Sequence, residues 1–114
     1  MKFEAREIDI DLELVAKKGS DGKKEKKTFK PFKEVTAEWA GSIIKETDEY
    51  VKNQQLLPVS EQDRMYVGNL KFLGWIYKDF DIDWMLKNFT PVEISEIRDS
   101  VFQGLLGVKK EDGN

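Results

Sequence analysis

From Glu7 to Val15 the chain alternates without a break: Ile8, Ile10, Leu12 and Leu14 fall on one side, Asp9, Asp11 and Glu13 on the other. A period of two specifies a strand buried on one face only. Phe3 and Ala5 have the opposite parity, so burying them on that same side requires a bulge or irregular start near Arg6. Lys17-Lys-Gly-Ser-Asp-Gly-Lys-Lys24 then reads as a turn, because Gly19 and Gly22 accept positive φ while Ser20 and Asp21 bond their own backbone. A second strand over Glu25–Lys30 is expected to pair back and to end at Pro31, which has no N–H for a ladder. An isolated two-stranded hairpin is marginal in water. Its aliphatic face must therefore lie against helices of the same chain or against another subunit. Its open edges invite strand addition unless charge guards them, and here lysine and aspartate do.

The remainder of the chain is periodic at three and four. Thr36 is placed to cap a helix running to about Asn53, with Trp39, Ala40, Ile43, Ile44, Thr47, Tyr50 and Val51 on its apolar side. Ser60-Glu-Gln-Asp63 reads as a capping signal for a second helix over Glu61–Lys78. That helix is apolar on most sides apart from an Arg64, Lys71, Lys78 stripe, so it belongs at the centre of the fold or under a partner. Trp75 falls on the polar stripe and is the apolar residue least explained by a core. Gly68 and Gly74 each cost about 1 kcal/mol of helix propensity, which close approach of a neighbouring element would offset. A short helix from Asp83 to Asn88, capped by Asp81 or Asp83, comes next. In Thr90-Pro-Val-Glu93 an N-cap threonine, proline at the first helical position and a glutamate three residues on open the last helix. Ile94, Ile97, Val101 and Leu105 form its core stripe, with Phe102 and Leu106 as a second stripe before Gly107.

These elements predict an α+β fold: an N-terminal β-hairpin followed by a bundle of three to four α-helices. At 114 residues, one domain with one core is expected, burying about two thirds of the unfolded surface. The boundaries read 1–108 for a single globular domain, with 1–33 as hairpin and 34–108 as the helical part, and 109–114 as a flexible tail.

Cysteine and histidine are both absent, which removes disulfides, thiolate nucleophiles, imidazole bases and most zinc sites together. Paired carboxylates are the one catalytic constellation left to weigh: Asp79, Asp81 and Asp83 with Glu93 or Glu96. Helix capping and solubility account for them without chemistry. The same acidic run lacks the glycine and distal glutamate of a calcium loop, and the glycines are too scattered to cradle phosphate. No enzyme activity and no cofactor are expected. The charge is uneven. Residues 16–33 carry eight lysines against one aspartate and one glutamate, a net +6, while residues 1–15 sum to −3. With almost no arginine there, at most salt-sensitive phosphate contact is expected, and no nucleic-acid partner. No apolar run approaches the roughly 18 residues that span a bilayer, and Met1-Lys-Phe-Glu-Ala-Arg-Glu7 lacks a signal peptide's apolar core. A soluble, cytoplasmic protein without membrane contact is the expectation.

Protein binding absorbs more of the sequence. Three tryptophans and seven phenylalanines are many for this length, and Trp75, Trp84, Phe89, Phe102 and Leu106 cannot obviously all face one core. Those five are the candidate partner-binding residues, since surplus apolar side chains left outside mark an interaction surface.

The order of parts resembles the tail assembly chaperones of long-tailed bacteriophages, particularly those of Gram-positive hosts. The resemblance is carried by the strand-rich start with its charged turn, Phe29-Lys-Pro-Phe-Lys33 ahead of the first helix, and Trp75-Ile-Tyr-Lys-Asp-Phe-Asp81. Phe89-Thr-Pro-Val-Glu-Ile94 before the last helix and the polar ending Gly107-Val-Lys-Lys-Glu-Asp-Gly113 complete it. It implies a non-enzymatic chaperone, in the host cytoplasm, that coats hydrophobic helices of the tape-measure protein before tail tube subunits polymerise. A longer, frameshifted form would recruit those tube subunits. Self-association is compatible with this reading. The alternative is a phage or bacterial regulatory adaptor binding one folded partner.

Overall fold

In the computed structural model, which describes residues 1–17 and 22–108, strand β1 (Leu12–Val15) pairs antiparallel with β2 (Lys26–Phe29). Four helices follow: α1 (Ala37–Gln55), α2 (Met65–Ile76), α3 (Ile82–Asn88) and α4 (Pro91–Leu105), with a 3₁₀ turn at Val59–Glu61. The architecture is the expected α+β one of a hairpin followed by helices. The register sets Leu12 opposite Phe29 and Leu14 opposite Lys27 on the inner face, and Glu13 opposite Thr28 on the outer face. Leu14 and Phe29 are buried, while Lys26 reaches across the outer face to Glu13 at 2.9 Å. The alternation of β1 thus has the energetic cause it suggested: one face loses its water to the helices and the other keeps it.

The strand expected from Glu7 is paired only from Leu12. Register explains the difference. The Ala16 N–H donates to the Glu25 carbonyl, which puts even-numbered residues of the first strand in the hydrogen-bonded phase. Ile10 would then face Pro31, which cannot donate. Instead Pro31 forms an isolated antiparallel bridge with Tyr77, flanked by Phe32 N–H to the Ile76 carbonyl and Lys78 N–H to the Lys30 carbonyl, both 2.9 Å. In that non-hydrogen-bonded phase proline has no N–H to miss. The second strand stops one residue short of the predicted Lys30 for the same reason. Residues 7–11 keep the inward parity without a ladder, for Ile10 is buried and Ile8 half-buried. Gly22 has the positive φ expected of the turn, at 75°; Gly19, Ser20 and Asp21 lie outside the described residues, as do 109–114, where the flexible tail was expected.

Helix α1 starts as predicted, with the Thr36 hydroxyl accepting from the Trp39 N–H at 3.2 Å, and buries Trp39, Ala40 and Ile43. The second helix differs from expectation at both ends. Ser60 lies inside the 3₁₀ turn, Gln62 returns to extended backbone, and α2 begins only at Met65, without a side-chain cap. The Asp63 carboxylate is engaged elsewhere, by the Tyr50 hydroxyl and by Lys71. At the far end, Tyr77 leaves the helix to bridge Pro31, so Lys78 is not helical. Between those ends α2 is central as its composition required: Leu70, Phe72, Leu73 and Ile76 are buried, and it packs against α1, α3 and α4.

Gly68 is explained by approach, since a Cβ there would meet the Tyr50 ring at 3.2 Å; Gly74 has no atom within 4 Å of the equivalent position, so packing does not offset its cost. Asp81, rather than Asp83, caps α3 by accepting from the Trp84 N–H at 3.0 Å. Thr90 and Glu93 close the predicted capping box in both directions. Helix α4 ends in a left-handed Gly107, with Val108 N–H to the Gln103 carbonyl and Gly107 N–H to the Gly104 carbonyl, the bond pair of a Schellman motif. Ile94, Val101 and Leu105 are buried on the predicted stripe and Ile97 is half-buried. Hairpin and helices share a single buried cluster running from Ile10 to Leu105.

Candidate partner-binding surface

The five aromatic and aliphatic residues singled out by sequence occupy different surroundings. Trp84 is a core residue, 7% exposed, edge-on to Phe89 at 5.6 Å and 6.5 Å from Phe29. Phe89 is half-buried against it. Trp75 is half-buried too, its ring 5.8 Å from that of Tyr50 on α1, so the helix-stripe position that seemed unexplained has an intramolecular partner. Phe102 lies 6.2 Å from Phe72 with the Arg98 guanidinium 4.8 Å above its own ring. Leu106 alone of the five is open to solvent, at 51%. The structure brings Trp84 and Phe89 together and sets Phe102 and Leu106 on one helix end, while Trp75 packs on α1.

A stronger apolar exposure lies at the junction of the first two long helices, where the sequence reading puts Val51 on the apolar side of one helix, Met65 in the next, and a plain loop between them. Leu56, Val59 and Met65 are 83%, 85% and 81% exposed, and Val51 and Leu57 beside them are also exposed. All five belong to the end of α1 and the turn into α2. The turn is braced rather than loose. Gln62 Nε2 donates to the Leu57 carbonyl at 3.0 Å, the Asp63 N–H donates to Gln54 Oε1 at 2.7 Å, and Pro58 fixes a φ ahead of the 3₁₀ turn. Below it, Asp63 receives both the Tyr50 hydroxyl and Lys71 Nζ, each at 2.5 Å, and Lys71 lies 5.3 Å from the Tyr50 ring. The Lys71 and Tyr50 bonds hold the Asp63 carboxyl below the ordinary aspartate range, and burial, with that carboxylate's help, pushes Tyr50 up to about 12. Side chains held out in this way present apolar area without first paying to order the loop. The run Leu56-Leu-Pro-Val59, aliphatic beside a loop proline, was the available signal.

Two of the carboxylates considered for chemistry, Asp81 and Glu93, have structural work. Asp81 caps α3 and pairs with Lys27 at 2.9 Å, and the Trp84 N–H followed by Lys27 keeps its pKa below the usual value. Glu93 closes the capping box, where the Thr90 N–H and then its hydroxyl lower the pKa. Among the described residues no group of three or more acidic side chains is arranged to hold a metal ion, and no helix is long and apolar enough to cross a membrane. The basic strand faces this chain's own acids: Lys26 meets Glu13, Lys27 meets Asp81, and Lys30 lies 3.8 Å from Asp11. No protein family, curated protein or solved structure matches the chain.

Proposed function

We propose that the chain is a non-enzymatic tail assembly chaperone that holds hydrophobic helical segments of a phage tape-measure protein, working in the host cytoplasm with the tail tube protein as a second partner. The observation that carries this reading is the braced turn, with Leu56, Val59 and Met65 more than four-fifths exposed. Aliphatic side chains held in water by a rigid turn fit a client whose own apolar stripe needs cover. Leu106 and Val108, exposed after α4, offer a further apolar contact. The order of parts that resembles tail assembly chaperones supplies the client's identity.

Co-expression of the chain with a hydrophobic segment of the tape-measure protein encoded beside it tests the proposal. The segment is expected to stay soluble in complex with the wild type and to precipitate beside Val59→Asp/Met65→Asp, whose exposed substitutions leave the fold intact by circular dichroism. Equal solubilisation by both proteins would remove the turn from the site. Failure of both would remove the client. A position immediately before a very long open reading frame, with a slippery run near the stop codon, separates this chaperone from a regulatory adaptor.

A further inference from the structure

The main chain of residues 7–15 presents an edge that nothing in the described structure occupies. Because even-numbered residues of β1 turn their N–H and C=O groups toward β2, Glu13 and Val15 turn theirs the other way, and the inward side chains of Ile8 and Ile10 carry the same parity back through Asp11, Asp9 and Glu7. Among the described residues the sheet has two strands, so no third strand there meets them. One of these groups has a local substitute: the Asp11 N–H donates to Asp9 Oδ1 at 2.8 Å. The segment is nonetheless held in place. Ile10 sits where a Cβ on Gly104 would come within 2.9 Å of it, Ile8 stands 3.2 Å from the same position on Gly107, and the Ile10 carbonyl accepts the Tyr77 hydroxyl. A cleft of about 500 Å³ opens between residues 6–12 and Ser100, Gln103 and Val108 of α4 and its end.

A backbone held at strand parity by its side chains, with its outer hydrogen-bonding groups other than the Asp11 N–H unpaired among the described residues, is a template for strand addition. Charge decides what it accepts. Glu7, Asp9, Asp11 and Glu13 all project on the solvent face and are exposed. Lys26 of β2 already attends Glu13 and Lys30 just after it attends Asp11, whereas Glu7 and Asp9 have no ion pair among the described residues. A second copy offering the same edge in antiparallel register would set acid against acid, which is destabilising. We infer that this edge binds an extended segment of a partner protein carrying lysine or arginine at alternate positions. The parity is specific. In an antiparallel ladder, residues directly opposite share a face, so the partner's basic residues are the ones whose N–H groups bond to Glu7, Asp9, Asp11 and Glu13.

The test uses the full chain and a short capped peptide alternating lysine and valine. With the peptide bound, amide exchange at Glu7, Asp9 and Glu13 is expected to slow by about tenfold, with no change at Ile8. A peptide of the same charge with N-methyl groups on its lysine nitrogens should give no protection, because it lacks the donors that face the edge. Glu7→Lys/Asp9→Lys should lose the lysine peptide and accept its glutamate counterpart instead. Binding of the N-methylated peptide with equal protection would reduce the effect to plain charge attraction and overturn the inference. So would binding without protection of the odd-numbered amides, absence of binding at low salt, or the same protection appearing with protein concentration alone, which would make the occupant a second copy.

Discussion

The Tyr77 hydroxyl donates to the Ile10 carbonyl across 2.6 Å, in the place where the next ladder bond of the hairpin would fall. Pro31 stands opposite Ile10 by register and has no N–H to give, and the residue that bridges Pro31 through its backbone is Tyr77 itself. One side chain therefore replaces the donor that its backbone neighbour lacks. The bond joins the N-terminal arm to the C-terminal end of α2, 67 residues apart in sequence.

Removing that hydroxyl should leave a buried carbonyl without a partner. Tyr77→Phe is expected to lower the unfolding free energy by about 1–3 kcal/mol in urea titration. Amide exchange should accelerate first in residues 8–11, because among the described residues no backbone-to-backbone bond ties that arm to the helices. Equal stability of Tyr77→Phe and wild type would show that water satisfies the carbonyl at no cost.

The tyrosines also set an alkaline limit. Burial, followed by the Asp11 and Asp9 charges, raises the Tyr77 pKa strongly, and burial with Asp63 raises that of Tyr50 to about 12. A folded-state pKa above the unfolded one favours the protonated form on folding, so this stability is complete below the ordinary tyrosine value of about 10 and drains away above it. Stability is expected to fall as pH rises from about 10 toward 12, with tyrosinate absorbance appearing together with unfolding. In the Tyr50→Phe/Tyr77→Phe double variant the fall in this window should flatten.

Two glycines in helices make opposite predictions from the same propensity. Gly74→Ala meets open space and should stabilise the protein by up to about 1 kcal/mol. Gly104→Ala gains the same propensity but drives its Cβ to 2.9 Å from Ile10 Cγ2, a β-branched methyl with no free rotor to move it away. Thermal unfolding should show Gly74→Ala above wild type and Gly104→Ala below it. The order reversed would mean that Ile10 yields easily and the arm is only loosely seated.

Local signals in the sequence were sufficient wherever a single helix start or periodic face decided the structure. Thr36 and the Thr90 to Glu93 box lie within one turn of the groups they satisfy, so spacing alone locates them, while for α3 it narrowed the cap to Asp81 or Asp83. The period of two located the inward side chains of residues 8–14 even where no ladder formed. What spacing does not carry is competition between distant groups. Nothing near Asp63 announces that Tyr50 and Lys71 will claim its carboxylate, so the predicted helix start at Glu61 was four residues early. The polar stripe containing Trp75 likewise gave no sign that Tyr50 would lie against it. The exposed aliphatics Leu56, Leu57 and Val59 were obscured for a related reason: a loop has no periodicity from which an outward face can be read.

Trp84 carries the last prediction. Its indole Nε1 is buried without a hydrogen-bond partner, while its ring packs on Phe29 and Phe89 and lies 5.0 Å from Lys27 Nζ. An unpaired buried donor costs free energy that the ring's apolar contacts must exceed. Trp84→Phe deletes that donor while keeping an aromatic face for Phe29, Phe89 and the lysine. It is expected to cost under about 1.5 kcal/mol, whereas Trp84→Ala, which also empties the site, should cost about 3–5 kcal/mol. Chemical denaturation of the two variants measures the gap. A phenylalanine variant as unstable as the alanine one would show that the indole N–H is bonded in solution, and that tryptophan stands at this position for its donor as well as its size.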